Sequence, residues 1–252
     1  MIARLRAYLF SDPLIILSTI FFGSISIVVS LFDKTGDKSI GVARAWARSL
    51  LLVSGVRVVV EGLEHIASGG SYVFASNHLS YMDTPVVLSN IPVQFRFLAK
   101  RGLFKIPFLG THLSQAGHVP VPREDPRASV KTMQTAAEAI RSRGASMLIF
   151  PEGGRSHDGT LGPFKEGAAY IAIRAGAPIV PVALIGTNKV LPFGSGTPLP
   201  GTVKIRIFPP LPTEGLTLKD RQRLTEQARS LIAEALAADK LTRSAASASG
   251  QP

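Results

Sequence analysis

Tyr72-Val73-Phe74-Ala75-Ser76-Asn77-His78-Leu79-Ser80-Tyr81-Met82-Asp83 is the stretch from which the fold can be read. Tyr72 to Ser76 is a short strand-forming run. It ends in polar Asn77, followed by a histidine and, five positions on, an aspartate. On one strand His78 and Asp83 would lie ~16 Å apart on opposite faces, and on one helix ~140° apart, so they can meet only across a turn. Ser80 supplies that turn if it caps a helix beginning at Tyr81, which brings Asp83 into the first helical turn and back toward the imidazole. Two readings follow. A carboxylate bonded to one ring nitrogen fixes the tautomer, leaves the other nitrogen as acceptor and stabilises the imidazolium formed on proton abstraction; His78 is then a general base. In the plainer reading Ser80 and Asp83 form only a capping box, and His78 is a loop histidine whose hydrogen bonds are satisfied.

After Gly55 short β-branched runs alternate with helical stretches, the pattern of a mixed α/β domain. Strands are expected at Val56 to Val60, Tyr72 to Ser76, Phe95 to Ala99, His118 to Pro122, Met147 to Phe150, Ile179 to Ile185 and Val203 to Phe208. Their near-continuous apolar character predicts a sheet covered on both faces. Helices are expected at Thr84 to Leu88, Ala128 to Ser142 and Glu166 to Ala175. A last one runs from about Leu218 to Ala238, where Leu224, Ala228, Leu231, Ile232 and Ala235 repeat at helical spacing behind a Thr217 and Asp220 capping box. Residues 241 to 252, rich in Ser and Ala, are expected to be disordered.

Three further segments carry polar chemistry. Phe150-Pro151-Glu152-Gly153-Gly154-Arg155-Ser156 follows an apolar strand; its proline stops the ladder and its glycines let backbone amides approach an anion or a polyol. Arg155 adds a planar donor fork for phosphate, and Glu152 can accept from a hydroxyl or a neighbouring base. Gly117 to Arg123 is an apolar strand ending in a cation, and Lys100 and Arg101 end the strand before it. Cations at neighbouring strand ends can converge on one phosphate, although each alone also reads as a solvated surface charge. Ile179 to Leu184 is wholly apolar, hence core or the lining of an acyl channel.

The N-terminal region is different in kind. Pro13 to Phe32 is twenty residues without a charged side chain, long enough at ~1.5 Å per residue to cross a ~30 Å hydrocarbon layer. Arg4 and Arg6 precede it; Lys34, Lys38, Arg44 and Arg48 follow, so the positive-inside rule puts the body on the cytoplasmic side. A signal peptide with small Ser24 and Ser26 near its end is the rival reading, but the apolar run continues past them. Residues 40 to 54 read as an amphipathic helix able to lie in an interface plane, with Trp46 at headgroup level. The two helices together could dip into one leaflet or the first could span, and the sequence leaves both open. Residues 1–54 thus form a membrane-associated helical segment, 55–240 the α/β domain and 241–252 a tail.

The formal net charge of +11 beside a mean hydropathy of +0.25 suits nucleic acid, an anionic membrane or a phosphorylated substrate, and the apolar excess favours the membrane. No cysteine is present, which excludes disulfides, thiolate metal sites and a cysteine-bound acyl intermediate. The Gly-x-Ser-x-Gly elbow of serine hydrolases, the phosphate loops of nucleotide-binding proteins and the His-Glu-x-x-His of zinc enzymes are all missing.

In this order the segments resemble the 1-acylglycerol-3-phosphate O-acyltransferases (lysophosphatidic acid acyltransferases) among the glycerolipid acyltransferases, over roughly residues 55 to 215. The resemblance rests on Asn77, His78 and Asp83, on Gly117 with Arg123, on Phe150 to Ser156 and on Val180 to Val182. Gly154 departs from it, standing where the common pattern has Thr. The resemblance implies a glycerolipid acyltransferase fold, a mostly buried mixed sheet flanked by helices. It also implies acyl transfer from acyl-CoA or acyl-ACP to the sn-2 hydroxyl of lysophosphatidate, giving phosphatidate in phospholipid biosynthesis. His78 and Asp83 would be base and orienter, with Lys100, Arg123, Glu152, Gly153 and Arg155 on the acceptor. Membrane lipids and acyl carrier protein are the partners it implies, with no nucleic acid, metal or cofactor. Acylation of another lysophospholipid, or binding of anionic lipid without catalysis, are the alternatives.

Overall fold

In the computed structural model, which describes residues 5–33, 35–106, 109–122 and 125–248, each apolar run picked from the sequence becomes a strand. These are β1 (Val56–Glu61), β2 (Val73–Ser76), β3 (Phe95–Lys100), β4 (Val119–Val121), β5 (Ser146–Ile149), β6 (Ile179–Ile185) and β7 (Gly201–Ile207). They form one sheet in the order β1-β7-β6-β2-β5-β3-β4. Only β6 and β7 pair antiparallel; the other neighbours are parallel. The helices are α1 (Asp12–Ser30, continuing a π turn over Ala7–Ser11), α2 (Asp37–Ser54), α3 (Asp83–Asn90), α4 (Leu109–Gln115), α5 (Pro126–Arg143), α6 (Gly167–Ala175), α7 (Thr187–Val190) and α8 (Arg221–Ala248).

Side chains alternate along a strand, so each central strand contributes to two cores. Phe74, Phe95, Leu148 and Val182 pack with Ala43, Ala47 and Leu51 of α2 and Val86 and Val87 of α3. Val73, Ala75, Met147 and Ile149 face the other way, onto Ala136 and Ile140 of α5, Ala169 and Ile171 of α6, and Leu224 and Ala228 of α8. Coverage on both faces is why the central strands β2, β5 and β6 are buried along their whole length and carry almost no polar residue. Truncating fully buried Phe74 to alanine would cost about 3–5 kcal/mol.

Departures from the sequence reading are local. Helix α8 starts at Arg221 behind the expected Thr217 and Asp220 capping box. It runs on to Ala248, so residues 241–248 are helical where disorder was expected; 249–252 lie outside the described residues. The short helices α4 and α7, of seven and four residues, are absent from the sequence reading, being too brief to show a periodic stripe.

Helices α1 and α2 form an antiparallel hairpin. Ser11 Oγ donates to Val53 O at 3.1 Å, Ser18 and Ser49 hydroxyls meet at 2.6 Å, and Trp46 Nε1 donates to Thr19 Oγ1 at 3.1 Å. Trp46 thus bridges the hairpin and also packs on the sheet's core. The hairpin is fastened to the body along its length. Asp12 Oδ2 accepts from Thr197 Oγ1 (3.1 Å), Ser26 Oγ meets His112 Nδ1 of α4 (2.5 Å), and Asp37 at the loop end pairs with buried Arg96 at 2.8 Å. The opposite face of α1 leaves Leu14, Ile16, Leu17, Ile20, Phe21 and Val28 exposed.

Candidate active site

Strands β2, β5, β3 and β4 are adjacent and parallel, so their C-terminal ends open on one edge of the sheet, where α/β folds collect ligands. At the end of β2, fully buried Asn77 carries the ladder one step further through its side chain. Its Nδ2 donates to Leu184 O at 2.9 Å and its Oδ1 accepts from Leu184 N at 2.7 Å. The backbone is thereby fixed where it leaves the sheet, and the next residue is His78.

His78 is held by backbone and ring alike. Its N–H donates to Glu152 Oε1 at 2.7 Å and its carbonyl accepts from Ser156 N at 2.8 Å. Its imidazole stacks on Phe150 with centroids 4.0 Å apart. Nδ1 lies 2.7 Å from Asp83 Oδ2, and the same oxygen accepts from Leu79 N (2.7 Å) and Ser80 N (2.8 Å). Three donors thus converge on one oxygen of a fully buried carboxylate, while 17% of the His78 side chain is accessible. With Nδ1 donating to that carboxylate, Nε2 is left as the acceptor.

The turn between the two residues differs in detail from the sequence reading. Ser80 does not cap a helix starting at Tyr81. Its Oγ accepts from Met82 N (3.1 Å) and donates to Leu191 O (2.7 Å), and α3 begins only at Asp83, without a side-chain cap. The carboxylate itself, accepting from Leu79 and Ser80, closes the turn.

Glu152, picked as a ligand for a hydroxyl or a phosphate-bearing acceptor, also holds the backbone around the site. Oε1 takes the His78 amide and Oε2 the Gly162 amide at 2.9 Å, so the carboxylate ties three loop segments together. Burial pushes its carboxyl above the usual range, against the lowering effect of those two amides.

Gly153 has φ +77°, and a Cβ there would come within 3.0 Å of Lys165 Nζ. The residue makes room for an ammonium. Gly154, the departure from the common pattern, faces open space, with nothing within 4 Å of the point a Cβ would occupy, so a larger residue would fit. The Arg155 guanidinium lies over the Tyr81 ring at 3.4 Å and 4.9 Å from Phe193, and Tyr81 belongs to the His78–Asp83 turn. Lys100 ends β3 exposed at the same edge; Arg123 lies outside the described residues. Ile179 to Leu184 is fully buried, so it is core and lines no channel.

The sequence reading missed the Phe150 stack, the Tyr81 and Phe193 platform, and Lys165. Phe150 and Tyr81 stand within the quoted motifs, but ring stacking depends on contacts across the sheet edge that spacing does not encode. Lys165 carries no signal at all.

A family model for acyltransferases matches residues 57–185. The chain is 39% identical over 211 residues to a chloroplastic 1-acyl-sn-glycerol-3-phosphate acyltransferase, BAT2, of Brassica napus, covering 82% of this chain and 59% of that one. It is 30% identical over 242 residues to the 1-acyl-sn-glycerol-3-phosphate acyltransferase of Chlamydomonas reinhardtii, covering 94% and 71%. The chain thus spans somewhat more than half the length of the chloroplastic relatives from Brassica napus and Arabidopsis thaliana. Its structure is similar to the crystal structure of the 1-acyl-sn-glycerophosphate acyltransferase PlsC from Thermotoga maritima. The TM-score is 0.78 at 25% identity, covering 94% of this chain and 98% of that one.

Proposed function

The chain belongs to the acyltransferase family, and we propose that it moves a fatty acyl group from a thioester to the sn-2 hydroxyl of lysophosphatidate, giving phosphatidate. Acyl-CoA and acyl carrier protein thioesters are the donors that fit this chemistry. The observation that carries the reading is the contact of His78 Nδ1 with the buried Asp83 carboxylate at 2.7 Å. It leaves Nε2 to take the hydroxyl proton, while the oxygen attacks the thioester carbonyl carbon. The tetrahedral intermediate then collapses, the C–S bond breaks, and the imidazolium returns its proton to the departing thiolate. Asp83 stabilises the imidazolium between the two transfers. General-base assistance of this kind contributes about 10²- to 10⁴-fold in rate. No acyl-enzyme is required.

Arg155, Lys100 and Arg123 are the cations assigned to the acceptor phosphate, Arg155 with its fork oriented by the Tyr81 ring. A different lysophospholipid headgroup is the second reading, favoured by the open space over Gly154. Binding without catalysis would account for the turn that Asp83 closes but not for an accessible imidazole held on the same carboxylate.

Attachment to a membrane follows from α1. Ala7–Ser30 is 24 residues long, its most apolar 18-residue window has a mean hydropathy of 2.1 and is 11% buried, and so large an apolar face calls for a covering. Contacts from Asp12, Ser26 and Asp37 to the body along the hairpin support insertion from one side, because a helix crossing the bilayer would carry one of those ends away from the body. The basic residues after α1, Lys38 and Arg48 among them, favour the cytoplasmic face.

The test is an assay of the purified protein with a panel of lysophospholipids against both thioester carriers. Phosphatidate formed fastest from lysophosphatidate is the expected result; absence of turnover with every acceptor would refute the reading.

A further inference from the structure

Beside Phe150, on the far face of the sheet from the hairpin, lies a cavity of about 540 Å³ lined by Leu98, Val121, Ile149, Met133, Ala168 and Tyr170. Its size is that of a small-molecule site, and its walls are mainly apolar with few polar groups, as such sites are. Ile149 and Ala168 belong to the core covered by α5, α6 and α8. Ala43, Ala47 and Leu51 of the hairpin helix α2 belong to the core on the opposite face. The cavity therefore lies on the side of the sheet away from the membrane-attaching helices.

One cation at the rim stands out. The Lys165 backbone is anchored by its N–H to Pro151 O at 3.0 Å, and its exposed side chain runs over Gly153, close enough that a Cβ there would crowd Nζ. Arg221, also in the wall, is neutralised by Glu166. Among the described residues Lys165 makes no ion pair. Gly167 and Ala168, the first residues of α6, lie in the same wall, and amides at a helix start favour anions. An unneutralised ammonium at the mouth of an apolar cavity suits an amphiphile with a phosphate and a long apolar part.

We infer that this cavity, with Lys165 at its rim, receives the acyl donor, a phosphopantetheine-borne thioester, from the face of the sheet opposite the membrane hairpin. The inference rests on the proposed acyl transfer and divides the two substrates between the two faces. The lipid acceptor comes from the hairpin side, where Arg155 lies over Tyr81, and the soluble donor comes from the other. Phosphopantetheine is the part that coenzyme A and acyl carrier protein share, so Lys165 serves either carrier.

The test uses the purified full chain in detergent micelles. In Lys165→Met, free coenzyme A binding followed by calorimetry should weaken about tenfold, the effect of one lost charged hydrogen bond. The KM for palmitoyl-CoA and for palmitoyl carrier protein should rise by a similar factor, with the lysophosphatidate KM unchanged. Val130→Trp, at an exposed rim position (42%), should slow palmitoyl thioesters more than butyryl ones by narrowing the cavity. A rise in the lysophosphatidate KM alone, an effect with coenzyme A thioesters but not carrier protein, or coenzyme A binding equal to the parent's, would overturn the inference. If the parent binds coenzyme A, Lys165→Met loses that binding and neither transfers an acyl group, the cavity assignment stands and the reaction assignment falls.

Discussion

The Glu152 carboxylate accepts the main-chain N–H of His78 at 2.7 Å, so the Phe150 to Ser156 segment grips the histidine by its backbone and leaves the imidazole to Asp83. A neutral amide cannot replace that carboxylate. It offers one acceptor oxygen to two buried N–H donors, and its NH₂ would face the other donor. Glu152→Gln should therefore lower stability by about 1–3 kcal/mol, the cost of an unsatisfied buried donor, and depress kcat more than it raises the acceptor KM. Chemical denaturation with steady-state kinetics checks both. Unchanged stability with a raised acceptor KM would mean that the carboxylate meets substrate after all.

The contact between His78 and Asp83 gives a pair of variants with different signatures. His78→Ala should lose about 10²- to 10⁴-fold in kcat with lysolipid binding retained. In Asp83→Asn the amide oxygen can take the place of Oδ2 and still accept from Leu79, Ser80 and His78 Nδ1, but it carries no charge to stabilise the imidazolium formed on proton abstraction. Its turnover should fall to a similar extent while its melting temperature stays above that of Asp83→Ala. A proton-resolved spectrum of the imidazole would report the tautomer directly, and Nε2 protonated in the parent would contradict the assignment.

The strands are legible because an apolar run bounded by Gly, Pro or polar residues is local information, which a doubly covered sheet writes along its central strands. The meeting of His78 and Asp83 is legible for a related reason, since only a turn can join them. The means of closing the turn is not. Ser80 Oγ bonds to Leu191 O, 111 residues away, and no local pattern reveals that partner. The structural part played by Glu152 is hidden in the same way, because its two donors sit at His78 and Gly162. At the C-terminus, Ser and Ala read as low complexity, yet the helix propensity of alanine is the stronger consideration, and α8 runs on to Ala248.

His118 supplies a pH dependence. Its Nδ1 accepts from Phe97 N at 2.8 Å, and burial, aided by the charges of His112 and Arg96, pushes its pKa down from 6.5 to about 3. The folded protein therefore binds fewer protons here than the unfolded chain between those values. The contribution to stability is complete above pH 6.5 and is lost as pH falls toward 3. His118→Asn keeps an acceptor for Phe97 and removes the titration, so its melting temperature should fall less steeply over that range than the parent's. Glu152 titrates in both proteins and does not affect the difference. Parallel curves for parent and variant would show that His118 is not held neutral.

Arg155 offers a test of whether orientation or charge alone serves the acceptor. Its guanidinium carbon lies over the Tyr81 ring at 3.4 Å, an arrangement worth about 0.5–2 kcal/mol depending on desolvation, and a lysine ammonium keeps the charge but not the planar fork. Arg155→Lys should raise the acceptor KM several-fold, and Tyr81→Leu should raise it by a smaller factor through loss of the platform. If the ring acts by orienting the guanidinium, the double variant should be little worse than Arg155→Lys, because residues in contact are not additive. Donor KM should stay constant throughout, since the cavity beside Phe150 is lined by other residues. Strict multiplication of the two single effects would mean that Tyr81 acts on substrate independently of Arg155.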